Sequence, residues 1–245
     1  MPMEDWKYDP AHDLGLPTSQ RLRSLKRESG LVDSLARLGL RGLVRLYLST
    51  WHRLRIEGRS LLPKRPPFVL IANHTSHLDA VMLASALPAR LRDQVLPLAA
   101  GDTFFETQVL AAFAAFVMNA LPMWRRNCGR HALEQLRERL IQEPCAYILF
   151  PEGTRSRDGK LGAFRSGLGM IVAGTPAPVV PCLLIGAFEA LAPGRRWPRP
   201  ARVRLRIGQP LRFDQVENTR QGWNLIAATA REAVAALAPL ENKKG

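Results

Sequence analysis

Two histidines, a threonine, a serine and an aspartate fall within Asn73-His74-Thr75-Ser76-His77-Leu78-Asp79. Histidine changes charge near neutral pH, and a carboxylate beside it can fix its tautomer, so a titratable pair here suits proton transfer. The spacing sets a condition. Residues five apart on one regular helix point about 140° apart around its axis and do not meet. With His74 in a loop and Asp79 in the first turn of a following helix, they can meet. Thr75 or Ser76 is then a candidate cap, and first-turn amides would face the site, ready for negative charge. Taken singly, either histidine reads as an ordinary loop-edge residue. A second polar cluster, Phe150-Pro151-Glu152-Gly153-Thr154-Arg155-Ser156, weighs against that reading.

Both clusters follow apolar runs with the length of buried strands, residues 68–71 and 145–149. Residues 81–87, after the first cluster, can wind as a helix. Two polar loops that leave two buried parallel strands open on one sheet edge, which is where α/β sheets bind ligands. Strand-like runs at 95–100, 120–124, 178–185 and 203–207 alternate with helical patterns at 104–118, 129–143, 167–174 and 223–237. That alternation predicts an α/β fold with a mostly parallel central sheet flanked by helices.

Ahead of the sheet, Ser19 can cap a short basic helix through Arg21, Arg23, Lys26 and Arg27. Residues 31–56 then read as one long helix with Leu35, Leu38, Leu43, Leu46, Tyr47, Trp51 and Leu54 at helical spacing. Arg37, Arg41 and Arg45 fall four apart on another face. A basic amphipathic helix carrying Trp and Tyr suits a membrane surface, and a core-packed helix with a solvated basic face fits the pattern equally well. The expected organisation is an N-terminal helical membrane-surface region at 1–57 and an α/β domain at 58–245.

The two polar stretches together resemble the glycerolipid acyltransferase family, which includes 1-acylglycerol-3-phosphate acyltransferases. The family's first block, N-H-x-S-x-x-D, is met by Asn73, His74, Ser76 and Asp79. Its third, F-P-E-G-T-R-S, is met by Phe150 through Ser156. Its fourth, a Pro-bearing apolar strand, is similar to Pro178-Val179-Val180-Pro181. The second, G-x-x-F-x-x-R, is met at Arg125, with Asn119 and Pro122 in place of Gly and Phe. The blocks run in family order from Asn73 to Pro181.

The resemblance implies transfer of a fatty acyl group from a thioester, acyl-CoA or acyl carrier protein, to a lysophospholipid hydroxyl. The acceptor it points to first is 1-acyl-sn-glycerol-3-phosphate, giving phosphatidic acid; other lyso-lipids stay open. His74 would be the general base and Asp79 its orienting carboxylate. Arg125 and Arg155 would hold the acceptor's phosphate, since Arg offers planar, bidentate donors. Glu152, Gly153 and Thr154 would serve the acceptor side, Glu152 structurally or on the glycerol. Ser76 and Pro181 would lie near the acyl chain or donor. The substrate supplies the hydroxyl, so the scheme needs no serine nucleophile, metal or cofactor.

Composition narrows the alternatives. The 245 residues are 47% hydrophobic, enough for a full core, and carry a formal net charge of +14 with a pI near 10.9. Such a chain should meet anionic lipid, phosphorylated substrates or nucleic acid. The arginines are spread along the chain with no zinc-finger spacing or aromatic RNA-binding block, which argues against nucleic acid. A catalytically silent basic membrane protein fits the long helix but leaves the His-Asp loop unexplained. The three cysteines lack C-x-x-C spacing, suggesting packing thiols in a reducing compartment. No G-x-S-x-G occurs. Gly153 to Lys160 resembles a phosphate loop but has one residue too many between its glycines, and Leu161 follows where Ser or Thr is needed. The acidic N-terminus does not read as a signal peptide, and no run reaches the ~20 apolar residues of a spanning helix. The expected location is peripheral, on the cytoplasmic side of a membrane.

Overall fold

The computed structural model describes residues 31–92, 94–100, 121–123, 130–143 and 145–239. The short basic helix at 21–27, the helix at 104–118 and Arg125 lie outside the described residues, as does the side chain of Arg37.

Helix α1 (Leu31–Thr50) leads into a sheet of seven described strands: β1 (Arg55–Glu57), β2 (Phe68–Ala72), β3 (Val95–Ala100), β4 (Leu121–Met123), β5 (Ala146–Leu149), β6 (Val179–Ile185) and β7 (Arg204–Ile207). Their spatial order is β1-β7-β6-β2-β5-β3-β4. Every neighbouring pair is parallel except β6 and β7, which run antiparallel. The described helices are completed by α2 (Asp79–Ala86), α3 (Ala89–Arg92), α4 (Arg130–Gln142), α5 (Gly167–Val172), α6 (Ala187–Leu191) and α7 (Arg220–Ala235). The expected α/β architecture is present.

Strand β2 shows why the run at 68–72 is apolar throughout. Side chains alternate across a strand, so Phe68, Leu70 and Ala72 face one layer while Val69 and Ile71 face the other. The first set packs with Met82 and Leu83 of α2 and Leu48 of α1. The second packs with Leu140 of α4, Leu168 and Ile171 of α5, and Ile226 and Ala230 of α7. Helices cover both faces, so neither side of the strand can be polar. The glycine-rich segment at 167–174 packs closely, as its composition suggests. A Cβ at Gly169 would stand 2.3 Å from Cα of Trp223, so α5 and α7 meet backbone to backbone there.

The long helix expected over 31–56 stops at Thr50. The Trp51 amide donates to Tyr47 O, the Leu54 amide reaches back to Leu48 O, and Arg53 takes a left-handed φ of 45°. This closes the helix as a hydrogen-bonded C-terminal turn. Arg55–Glu57 then pairs with Arg204–Arg206 as an edge strand, so the sheet begins ahead of the expected boundary at 57/58. The helical spacing of Leu54 is overridden: Leu54 and Ile56 both pack on the core from beyond the helix end. Helix α1 packs one face on the core and leaves leucines of another in solvent. Leu40, Val44, Tyr47 and Leu48 lie on the core, while Leu38, Leu43 and Leu46 are exposed. No described helix is long and apolar enough to cross a membrane.

Candidate active site

The loop between β2 and α2 is tied down by its own backbone. Asn73 continues β2 with its side chain: Nδ2 donates to Leu184 O at 2.9 Å, and Oδ1 accepts the Leu184 amide at 2.8 Å. That amide pair mimics a strand and locks the loop's first residue to β6. Asp79 sits in the first turn of α2, fully buried. Its Oδ2 accepts the amides of Thr75 and Ser76 at 2.7 and 2.8 Å, and His74 Nδ1 stands 2.9 Å from the same oxygen. The geometric condition on the five-residue spacing is therefore met. An ionised carboxylate only accepts, so Nδ1 carries the proton and Nε2 keeps its lone pair. The His74 ring stacks on Phe150 with centroids 4.1 Å apart and planes 16° apart, which fixes the direction of that lone pair.

The capping arrangement differs from expectation. Leu78 is the N-cap of α2 and makes no side-chain cap. Ser76 Oγ instead accepts the Leu78 amide at 3.2 Å, and the amides of Thr75 and Ser76 are spent on Asp79. These amides are thus unavailable to an incoming oxyanion. The reason is local: a first-turn carboxylate can fold back onto the preceding loop and satisfy donors that a ligand would otherwise take.

The second loop, after β5, is clamped to the first by Glu152. This side chain is buried, with Oε1 accepting the His74 amide at 2.9 Å and Oε2 the Gly162 amide at 3.2 Å. The Ser156 amide donates to His74 O at 2.7 Å, so His74 is held through both backbone groups. Burial raises the Glu152 pKa, and the two amides oppose that rise. Gly153 has a φ of 72°, and a Cβ there would meet Arg165 Nε at 2.9 Å, which makes glycine the fitting residue. Arg165 Nε in turn donates to Glu152 O at 3.2 Å.

His77 turns to a different partner. Arg155 Nη1 lies against both nitrogens of its ring. Burial, the Arg155 charge and His74 together lower the His77 pKa to about 4, so it is neutral at physiological pH. Among the described residues, no three His, Cys, Asp or Glu side chains cluster as metal ligands would.

A cleft of about 510 Å³ opens beside His74. Leu98, Leu133, Leu149, Phe150, Leu168 and Ile171 give it apolar walls; Gly153, Thr154, Arg165 and Ser166 bring polar groups to it. Of the residues singled out from sequence, His74, Gly153 and Thr154 line it. Glu152 braces the loops from behind. Ser76 is buried in its own loop, and Pro181 sits within β6 opposite Ile71. Arg165 and Ser166 were not singled out from sequence. Their position was readable only in that they follow the Glu-Gly-Thr-Arg loop and open the next helix.

The chain matches the family model described as "Acyltransferase" over residues 53–185. A chloroplastic 1-acyl-sn-glycerol-3-phosphate acyltransferase of Brassica napus is 31% identical over 151 residues, which is 59% of this chain and 40% of that one. The 1-acyl-sn-glycerol-3-phosphate acyltransferase alpha of Mus musculus is 23% identical over 162 residues, 65% of this chain and 55% of that one. The chain thus spans about half the length of these curated relatives or less. The crystal structure of the 1-acyl-sn-glycerophosphate acyltransferase PlsC of Thermotoga maritima superposes with a TM-score of 0.64 at 22% identity. It covers 86% of this chain and 84% of that one, so the two share a fold.

Proposed function

The chain belongs to the acyltransferase family, and from that premise we propose that it moves a fatty acyl group from a thioester to the hydroxyl of 1-acyl-sn-glycerol-3-phosphate. The observation that carries this reading is the 2.9 Å contact between His74 Nδ1 and the buried Asp79 carboxylate, at the wall of an apolar cleft. His74 Nε2 takes the proton of the acceptor hydroxyl as its oxygen attacks the thioester carbonyl. The C–S bond breaks as the ester C–O bond is completed, and the imidazolium returns its proton to the leaving thiolate. Asp79 holds the ring in the productive tautomer and stabilises the imidazolium between the two transfers. The apolar walls suit an acyl chain. Arg155 supplies positive charge on the loop flanking His74 and serves the acceptor's phosphate. The names of the relatives support this acceptor, and acyl-CoA and acyl carrier protein both suit as donor.

Exposed Leu38, Leu43 and Leu46 on a helix that also carries Arg41 and Arg45 support a peripheral position on an anionic membrane, where the lipid acceptor resides. The test is direct. Purified protein is incubated with acyl-CoA or acyl carrier protein thioester and a panel of lyso-lipids, and products are read by mass spectrometry. Phosphatidic acid from the wild type and none above background from His74→Ala is the expected result. Another acylated lyso-lipid would redirect the acceptor. No product from any pair would overturn the reading.

A further inference from the structure

Strand β6 runs parallel to β2, so the chain leaving β6 at Gly186 emerges on the sheet edge where His74 leaves β2. It forms α6 and then the stretch Ala192-Pro193-Gly194-Arg195-Arg196-Trp197-Pro198-Arg199-Pro200-Ala201 before β7 begins. This loop is held in shape. The Arg195 amide donates to Ala192 O, the Arg199 amide to Ala190 O, and Gly194 takes a φ of 87°. Three prolines stiffen it further. Yet Trp197 projects from it with 78% of its surface exposed. The fixed loop thus holds its largest apolar side chain in water.

The same corner receives the end of α1. The Val203 amide donates to His52 O and the Arg55 amide to Val203 O, each at 3.0 Å, so the end of this loop is bonded to the turn after α1. Trp51 in that turn is also exposed, at 48%. Residues 192–204 contain five arginines and no acidic residue, and Arg195, Arg196, Arg199 and Arg202 are exposed. Glu189 on α6 is the nearest acidic residue in the chain, and its backbone carbonyl accepts Arg195 Nη1 at 3.0 Å. An exposed amphipathic indole flanked in sequence by exposed arginines matches the headgroup level of an anionic bilayer, where Trp is enriched and cations are attracted.

We propose that the Trp197 loop is a second membrane contact, which acts with the exposed leucines of α1 to seat the His74 edge of the sheet on an anionic lipid surface. One helix could bind and leave the protein free to roll about its axis. Two contacts on different elements fix which edge faces the lipid. The orienting purpose rests on the acyl-transfer reading; the binding does not, and is measured without turnover.

The experiment is co-sedimentation of the full chain with vesicles of phosphatidylcholine, with and without phosphatidylglycerol, comparing wild type, Trp197→Ser and the pair Arg195→Gln/Arg196→Gln, each checked by circular dichroism. Removing Trp197 should weaken partitioning to anionic vesicles by about tenfold. Each arginine removed should cost about fivefold and lessen the salt dependence. Turnover of Trp197→Ser on a short-chain, micelle-free acceptor should match wild type, while its rate on vesicle-borne acceptor falls. Unchanged co-sedimentation of both folded variants would overturn the proposal. Loss of self-association with unchanged vesicle binding would assign the loop to a second copy and overturn it too. A wild type that binds vesicles through Trp197 but acylates nothing would leave this contact standing and remove the proposed function.

Discussion

His74 and His77 lie three residues apart on one loop and meet opposite electrostatic surroundings. His74 faces a buried carboxylate that also gathers two loop amides. His77 faces the Arg155 guanidinium, and burial, reinforced by that charge, lowers its pKa to about 4. One ring donates Nδ1–H to a buried carboxylate, the arrangement the proposed base requires. The other is arranged to stay neutral. The same side chain on the same loop thus meets a carboxylate or a guanidinium according to which neighbour the second loop and the helix bring to it, and the proposed function makes a base only of the ring that meets the carboxylate.

The sharpest way to break this comparison is to remove the proposed base. His74→Ala should lower kcat by roughly 10²–10⁴-fold, the usual share of general-base catalysis, with the fold kept because the ring lies at the cleft rather than in the core. Asp79→Asn should lower kcat comparably, since it removes the charge that supports imidazolium. The double variant should be little slower than either single one, because the two residues act as a unit. Asp79→Asn should also lose about 1–3 kcal/mol of stability, as the buried Oδ2 serves the loop amides as well. Urea unfolding beside steady-state rates separates the two. Near wild-type turnover in folded His74→Ala would remove the distinction between the histidines.

A middle-sized effect is expected from the clamp. Glu152→Gln replaces one of two accepting oxygens with a donor that then faces an N–H group. Stability should fall by about 1–3 kcal/mol, and kcat should fall with KM little changed, because His74 is displaced rather than deleted. A raised acceptor KM at unchanged kcat would instead place Glu152 on the substrate.

The smallest effect on rate belongs to His77. His77→Gln should keep turnover within about threefold of wild type, well short of a general base's share. Its effect should appear in acid stability. Above about pH 6.5 neither the folded nor the unfolded ring is protonated, whereas between about 6.5 and 4 the unfolded chain binds a proton that the fold refuses. The fold therefore loses stability as pH falls through that window. His52, whose pKa is lowered by burial, acts in the same direction. Urea midpoints of His77→Gln should fall less steeply than wild type from pH 6.5 to 4. An equal slope would show that His77 is not held neutral.

Much of this was written in residue order. The apolar runs at 68–71 and 145–149 have the length of buried strands, and each hands over to a polar loop, so the α/β class and the shared edge were legible. The His74–Asp79 pair was legible too, because five residues span a loop-to-first-turn contact and nothing else useful. Other features needed partners distant in sequence. Arg55 and Ile56 read as the end of the long helix, and Arg55–Glu57 became a strand because Arg204–Arg206 offered it a free edge 149 residues away. Glu152 reads as structural or on the glycerol, but that it clamps the His74 amide 78 residues away is a pairing that local pattern cannot express. His77 has no carboxylate at a useful spacing in sequence, and its sequence neighbours do not announce the burial and the Arg155 charge that keep it neutral. Local order determines what each segment can become. Which hydrogen-bond donors and charges a buried group finally meets is decided only when the strands align, because those contacts fall off within a few ångströms.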